Sequence, residues 1–542
     1  MKVNDEYQPL YENSNNDDNN NQTPVAKLNN DRELIKKSCG RWFVLFVFSM
    51  VAICQAMTWM ILGPNSREFT RAYGDTVMNS SFISWATNAA NISFLLFTWP
   101  NAALVKKYGP AFATRFSIVL TFVGCILRCI PWPTDQLFQF FMILSMILIG
   151  IAGPWANFGG PTMSSLWFPV NERITSQAIA SVSTFLGAVA AFVIGPMITV
   201  DNTQNNVKSQ QQRIFKLYYV EAGITLFTLV CAFVYFPNQP TYPPSKSAAL
   251  NRHNAKHGPK NYSTILETTN SHNNNRSLCF TWNRLCSKRM RRFFYLNVAI
   301  SLPLGLYQGW SSILDLNLRE YGITTVESAW IGCWMTLSGC IASVIVARYT
   351  DHFVGKLKTC CVLSLFFAAT FLLLFNEKLA SIDRGNQTTT NTTNTTHTVT
   401  THEADPWLYF TIICAGFFTN ISIPLQFELV AESVYGFMSE SRALAICTIT
   451  NTILQIIMLA IPTNLNGTSA WMSWTFLLAI VICVFMMTVY KVEYRRLKLD
   501  IKQHSGEGKE QTIQEEVPVG HIENDQNNEK EIGFWFDRFG LL

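Results

Sequence analysis

The chain has 542 residues, 49% of them hydrophobic and only 14% charged, with a formal net charge of +5. Charge this sparse, and kept out of long apolar runs, excludes a large soluble helical protein. No basic stripe with interleaved aromatics lies away from those runs, so no nucleic acid is expected as a partner.

Twelve apolar stretches follow in chain order: 42–62, 82–105, 111–130, 137–158, 175–200, 214–236, 293–314, 329–347, 359–375, 407–430, 442–462 and 471–490. Each is close to the 20 or so residues that a helix needs to cross a hydrocarbon core of roughly 30 Å. Lipid offers backbone groups no water, so such stretches must be helices. The expected fold is therefore an all-α membrane protein with 12 transmembrane helices in two six-helix bundles. This sequence predicts bundles over 41–236 and 293–490, a cytoplasmic linker over 237–292, and cytoplasmic tails over 1–40 and 491–542. Residues 13–30 are largely Asn, Asp and Gln, which bury too little apolar surface to order themselves. No cleavable signal peptide precedes the first span, which is expected to direct its own insertion. Two sixes around a polar loop suggest a carrier with its site between the halves.

Lys and Arg set the orientation. The even-numbered loops hold Lys106, Lys107, Arg173, Arg284, Lys288, Arg289, Arg291, Arg292, Arg348, Lys356, Lys358 and Arg442, whereas the odd loops hold few bases. This is the positive-inside asymmetry, and it puts both termini in the cytoplasm. The Asn-x-Ser/Thr tripeptides at Asn386, Asn391 and Asn394, with Asn466 and Asn79, fall in odd loops, where acceptors of N-linked sugar must lie. Asn261 carries a further such tripeptide on the cytoplasmic side.

All eight histidines lie outside the predicted spans, and the 14 cysteines are scattered, mostly within apolar runs, with no Cys-x-x-Cys pair. No metal site and no cofactor is expected. Nothing resembles a phosphate-binding loop or a catalytic Ser or Cys set, so the chain is read as no enzyme. Coupling to protons must then use carboxylates. Four acids qualify: Glu221 within the sixth span, Asp315 at the end of the seventh with Arg319 one turn on, and Glu428 and Glu432 on one face of the tenth. Glu221 or Glu428 is expected to carry a coupled proton, and Glu428 has a rival role as a gate partner of Arg173 or Arg442.

On helix 1, Gln55 and Trp59 are four apart and share a face; on helix 7, Tyr307 and Trp310 are three apart and do likewise. Such aromatics can stack on a small aromatic ring or hold a cation. They can also belong to an interfacial belt.

Between the eighth and ninth spans, Ala347-Arg-Tyr-Thr-Asp-His-Phe-Val-Gly-Lys-Leu-Lys358 places Arg348, Asp351, Gly355 and Lys356 at a tight turn. It resembles the cytoplasmic loop of the major facilitator superfamily, in which the acid and bases clamp the inner gate. The matching first-half stretch, Val105-Lys-Lys-Tyr-Gly109, has Lys106 where the acid is expected. The junctions Ser165-Leu-Trp-Phe-Pro-Val-Asn-Glu-Arg173 and Phe427-Glu-Leu-Val-Ala-Glu432, with Ser439-Glu-Ser-Arg442 after the latter, form a weak internal repeat.

Trp167–Arg173 and Phe427–Glu432 resemble solute carrier family 49, which includes the feline leukaemia virus subgroup C receptors. Leu127-Arg-Cys-Ile-Pro131, Ile151-Ala-Gly-Pro154, Ala347–Asp351 and Tyr494-Arg-Arg-Leu-Lys-Leu-Asp500 support the likeness, which runs from about Arg41 to Asp500. The likeness implies a proton-linked, electrogenic carrier of a small organic metabolite. For the lysosomal branch that metabolite is pyridoxine, a vitamin B6 form; for the receptor branch it is choline or ethanolamine, with a link to haem. It also implies that Trp59 lines the pocket. A ligand sensor without flux stays open as a different class.

Two short signals point to the lysosome membrane rather than the plasma membrane. Tyr7-Gln-Pro-Leu10 has the spacing read by clathrin-adaptor sorting machinery, and Asp537-Arg-Phe-Gly-Leu541-Leu542 has acidic dileucine spacing. The expected partners are thus a small-molecule substrate, protons, the lipid bilayer and that machinery.

Overall fold

The computed structural model describes residues 40–200, 206–242, 244, 288–349, 356–392, 405–434, 440–461 and 470–492. Among them lie fourteen helices and no strand. In chain order these are α1 (Arg41–Met60), α2 (Ser66–Tyr73), α3 (Ser80–Tyr108), α4 (Pro110–Cys129), α5 (Asp135–Trp167), α6 (Val170–Thr199) and α7 (Val207–Val234). Then come α8 (Lys288–Ser312), α9 (Leu314–Arg319), α10 (Thr325–Tyr349), α11 (Leu357–Thr392), α12 (Pro406–Val434), α13 (Glu440–Ala460) and α14 (Trp471–Val489).

All twelve predicted stretches are helical, and ten of the helices are long and apolar enough to cross a membrane. The other two long helices are α3 and α8. Their hydropathy is diluted by Asn88, Asn91 and Asn101 in α3 and by Asn297 and Gln308, besides the basic start Lys-Arg-Met-Arg-Arg, in α8. Large apolar side chains such as Phe140, Phe227, Phe366 and Phe485 are exposed on the outside of the bundle, as a protein solvated by lipid requires.

Helix starts follow local chemistry. Asn79 caps α3 by accepting from the Phe82 amide at 2.7 Å, and Thr134 caps α5 in the same way. Thr324 and Glu327 form a reciprocal capping box at the start of α10, with N–H to oxygen distances of 2.9 and 3.3 Å. Prolines inside α3 (Pro100), α5 (Pro154, Pro161), α6 (Pro196), α8 (Pro303) and α12 (Pro424) each remove one ladder hydrogen bond.

Three features depart from the sequence reading. The short helices α2 and α9 were not expected. Asp315 does not close the seventh span, because α8 ends at Ser312 and Asp315 belongs to the separate α9. The loop expected from residue 376 onward begins as helix, because α11 runs on to Thr392. Its extension opens Asn-Glu-Lys-Leu-Ala-Ser-Ile-Asp, with Glu-Lys-Leu-Ala as good helix formers and no Gly or Pro to break the helix.

Among the first seven helices, α1 packs on α6 and α5, α3 on α5, and α4 on α5 and α7. Among the rest, α11 and α10 pack on α12, and α8 packs on α13 and α14. Among the larger contacts, three join the two sets: α6 with α10, α3 with α13, and α2 with α9.

Candidate substrate site and end gate

The first candidate site builds up from α1. Gln55 is buried, and its Nε2 donates to the Ile149 carbonyl on α5 at 3.4 Å. Trp59 meets Phe94 of α3 edge-on at 5.7 Å, and Phe94 lies 6.0 Å from Phe158 of α5. Gly153 of α5 sits against this group. A Cβ there would lie 2.7 Å from Phe94, 3.0 Å from Gln55 Nε2 and 3.1 Å from Trp59 Cζ3. The structure thus brings the predicted pair Gln55 and Trp59 together over bare backbone. Phe94 and Phe158 carry no signal inside an apolar span, and Gly153 enters the sequence reading only within the stretch Ile151–Pro154.

Amides from both helix sets lie between α3, α8 and α13. Asn88 Nδ2 donates to the Ile456 carbonyl at 3.2 Å, and Asn451 Nδ2 to Gln308 Oε1 at 3.2 Å. Asn91, 1% exposed, has no partner for either amide atom among the described residues, and Asn88 and Asn451 each keep an unmet oxygen. Buried groups of this kind need a ligand or water to complete them.

The second predicted aromatic pair is placed differently. Trp310 is fully buried and packs against Phe476 at 5.7 Å and Phe375 at 6.3 Å. Tyr307, 7% exposed, packs on the same Phe476. Both rings face α14, and Trp310 also faces α11, so they fill the interior of their own helix set.

The clearest charged assembly joins α2 to α9. Asp315 accepts from Ser66 Oγ at 2.7 Å and from Ser328 Oγ at 2.8 Å, and pairs with Arg67 Nε at 3.1 Å. Arg67 also donates to the carbonyls of Asp315 and Ile323. Gly63 makes the approach possible, because a Cβ there would overlap the Ser312 carbonyl. Beside this clasp, Glu68 is paired with Arg71 at 2.6 Å and accepts from Gln210 Nε2 of α7 at 2.6 Å. Burial lifts the Glu68 carboxyl above the usual carboxylate range, against the pull of Arg71, and burial also lowers Arg67.

Glu221 lies inside the first set, fully buried. Its partner is Arg128 of α4, with Nη1 to Oε2 at 3.5 Å and both side chains essentially without solvent contact. Arg128 was read only as part of a family stretch, although two charges in apolar spans have every physical reason to find each other.

At the other end, Arg173 turns back onto the carbonyls of Phe168 and Ser165, capping the end of α5. The adjacent Glu172 pairs with Arg41 at 3.1 Å. Glu428 is half-buried and Glu432 buried in the last turns of α12, while Lys356 is exposed just before α11. Asn79 is exposed at the start of α3. Tyr7, Leu10, Asp351, Gly355, Asn394, Asn466, Leu541 and Leu542 lie outside the described residues, as do the side chains of Arg348, Arg442, Asn386 and Asn391.

The arrangement has aromatic and amide groups in the interior, a clasp between helix sets at one end, and no strand among the described residues. The sequence pattern of the Major Facilitator Superfamily matches residues 44–382, well over half the chain. The chain belongs to the Major Facilitator Superfamily. It is accordingly a multi-pass membrane transporter of the facilitator type and not an enzyme. Among curated facilitators, it is 28% identical to a solute carrier family 49 member 4 homolog of Xenopus laevis, over 85% of this chain and 93% of that one. It is 23% identical to the human choline/ethanolamine transporter FLVCR2, over 75% of this chain and 68% of that one. The likeness to solute carrier family 49 read from its motifs is thereby borne out. Among solved facilitators, a D-xylose-proton symporter superposes with a TM-score of 0.59 at 11% identity, covering 84% of this chain and 98% of that one.

Proposed function

We propose that this facilitator is a proton-linked, electrogenic carrier of a small organic metabolite, with pyridoxine as its substrate, in the lysosome membrane. The observation that carries the reading is Gln55 and Trp59 held together over Gly153. A flat heteroaromatic ring fits an indole face, and a buried amide can hydrogen-bond the ring's hydroxyl or nitrogen. Glu221 supplies the coupled proton, and Glu428 and Glu432 with Arg173 and Arg442 form the inner gate together with Arg348, Asp351, Gly355 and Lys356. The topology is twelve spans in two bundles, 41–236 and 293–490, joined by the 237–292 linker, with both termini cytoplasmic. Asn79, Asn386, Asn391, Asn394 and Asn466 face the lumen as sugar acceptors. Tyr7, Leu10, Leu541 and Leu542 are read by clathrin adaptors. In this orientation the Asp315–Arg67 clasp closes the lumenal end.

One alternative substrate has a specific support: the human relative FLVCR2 is named a choline/ethanolamine transporter, and Trp59 can also face a quaternary ammonium. The deciding experiment is flux of labelled pyridoxine, choline and ethanolamine into vesicles holding the purified protein, with and without an imposed pH gradient. Pyridoxine flux driven by the gradient and accompanied by current supports the reading. Choline flux indifferent to pH assigns the chain to the other chemistry. Saturable binding without flux makes it a sensor.

A further inference from the structure

We propose that Arg128 is a positioning residue that relays the charge state of Glu221 to the last turn of α1, and so to Trp59. The inference rests on the reading that Glu221 carries the proton and Trp59 meets the substrate. Arg128 is fully buried on α4 and touches three other helices. Its Nη1 donates to the Thr58 carbonyl of α1 at 3.1 Å and faces Glu221 Oε2 of α7 at 3.5 Å. Its Nε donates to Ser145 Oγ of α5 at 2.8 Å, and its Nη2 meets the Met146 sulfur at 2.8 Å.

The Thr58 carbonyl is one of the last four of α1, which ends at Met60. Such carbonyls have no donor within the helix, and the negative end of the helix dipole favours a cation there. Arg128 therefore caps α1 one residue before Trp59. The same nitrogen carries two N–H groups and faces both acceptors, so the position of the guanidinium is set by the pull of Glu221 on one side and of the Thr58 carbonyl on the other. Glu221 Oε1 is buried and has no partner among the described residues, so a proton can bind there without displacing an existing hydrogen bond.

Arg128 is the charged group that faces Glu221. The other titratable neighbours are the thiols of Cys54 on α1 and of Cys125 and Cys129 on α4, and the Tyr218 phenol on α7. Thiols and phenols of ordinary acidity are neutral below pH 7. From α5 come Ser145 and Met146, which do not titrate. When Glu221 is ionised, it draws the guanidinium toward α7. When it takes a proton, that attraction is lost in a low-dielectric interior, where it is strong. The Thr58 carbonyl becomes the best remaining acceptor, the guanidinium closes on α1, and the turn that carries Trp59 moves with it.

The test uses full-length purified protein and two readouts between pH 7.5 and 5. One is the emission of Trp59, taken as wild type minus Trp59→Phe. The other is affinity for labelled pyridoxine. Wild type should show a pH-dependent shift in Trp59 emission and an affinity change of at least about fivefold, the low end of typical coupling. Glu221→Gln should flatten both. Arg128→Lys keeps a buried cation beside Glu221, but its single ammonium cannot span Thr58, Glu221 and Ser145 together. Trp59 should then cease to follow pH in this variant, as in Arg128→Met. Trp59 emission that titrates in Arg128→Lys as in wild type, or that does not respond to pH in wild type, overturns the relay. A wild type whose Trp59 titrates, and loses this in the variants, but which binds no pyridoxine upholds the relay and removes pyridoxine as the substrate.

Discussion

Asp315 and Arg67 lie 248 positions apart and meet at 3.1 Å, with the Asp315 side chain 1% exposed. Ser66, Ser328 and, at 3.4 Å, the Arg67 amide meet the remaining carboxylate lone pairs, so the charge is fully solvated by protein. Removing one partner of such a pair strands the other, at a cost of about 3–5 kcal/mol. Asp315→Asn should therefore lower the melting temperature of the purified protein markedly. Asp315→Asn with Arg67→Met should cost much less than the two changes summed, because neither charge is left alone. Additive losses would show that the clasp is incidental.

Gly63→Ala tests the same end by shape. Its new methyl would collide with the Ser312 backbone, which cannot swing aside as a side chain can. The variant should hold the α2–α9 end apart, and thiol reagents should label Ser66→Cys far faster in this background than in the Ser66→Cys single variant. Equal labelling rates would mean that the helices accommodate the methyl without opening.

Glu68 makes stability depend on acidity. Burial raises its carboxyl above the usual range. Between the ordinary carboxylate value, about 4.3, and the raised one, the folded protein holds a proton that the unfolded chain has released. Stability therefore rises as pH falls through that window and declines as pH rises through it. Glu68→Gln should raise the melting temperature at neutral pH and weaken this slope. A slope of wild-type size in Glu68→Gln would assign the effect to other groups.

The two aromatic pairs should behave oppositely. Trp59→Ala should weaken pyridoxine binding at least about tenfold, or ~1.4 kcal/mol, while Trp310→Ala should leave affinity near wild type. Because Trp310 fills a closed interior against Phe375 and Phe476, its truncation should instead cost about 3–5 kcal/mol of stability. Reversed outcomes would move the substrate site into the second helix set.

The sequence carries the long helices plainly, because a bilayer imposes one length and one composition on each. It does not show α2 or α9: eight and six residues are too short to stand out by period, and polar or charged residues interrupt both. Asp315 was legible as a costly acid, but its helix and its partner were not. Arg67 is remote in sequence, and the nearby Arg319 offered an easier match. Gln55 and Trp59 were legible because four residues along a helix share a face. Gly153, their floor, could not be read, since its contribution is the absence of a side chain. Glu221 was found by its charge, and the same rule applied to Arg128 would have given the pair.

The internal prolines divide the helices into two mechanical kinds. The helices α3, α5, α6, α8 and α12 each lack at least one rung of the backbone ladder, whereas α1, α4, α7, α10, α11, α13 and α14 contain no proline beyond their first turn. A missing rung makes bending cheap at one place and leaves the segments on either side stiff. Pro154 follows directly on Gly153, so flexure of α5 there shifts the backbone against which Gln55 and Trp59 rest. Pro424 stands one turn before Glu428, so flexure of α12 swings that carboxylate. The candidate site and the far end of the bundle can thus change shape by articulation of single columns, while the unbroken helices serve as the frame.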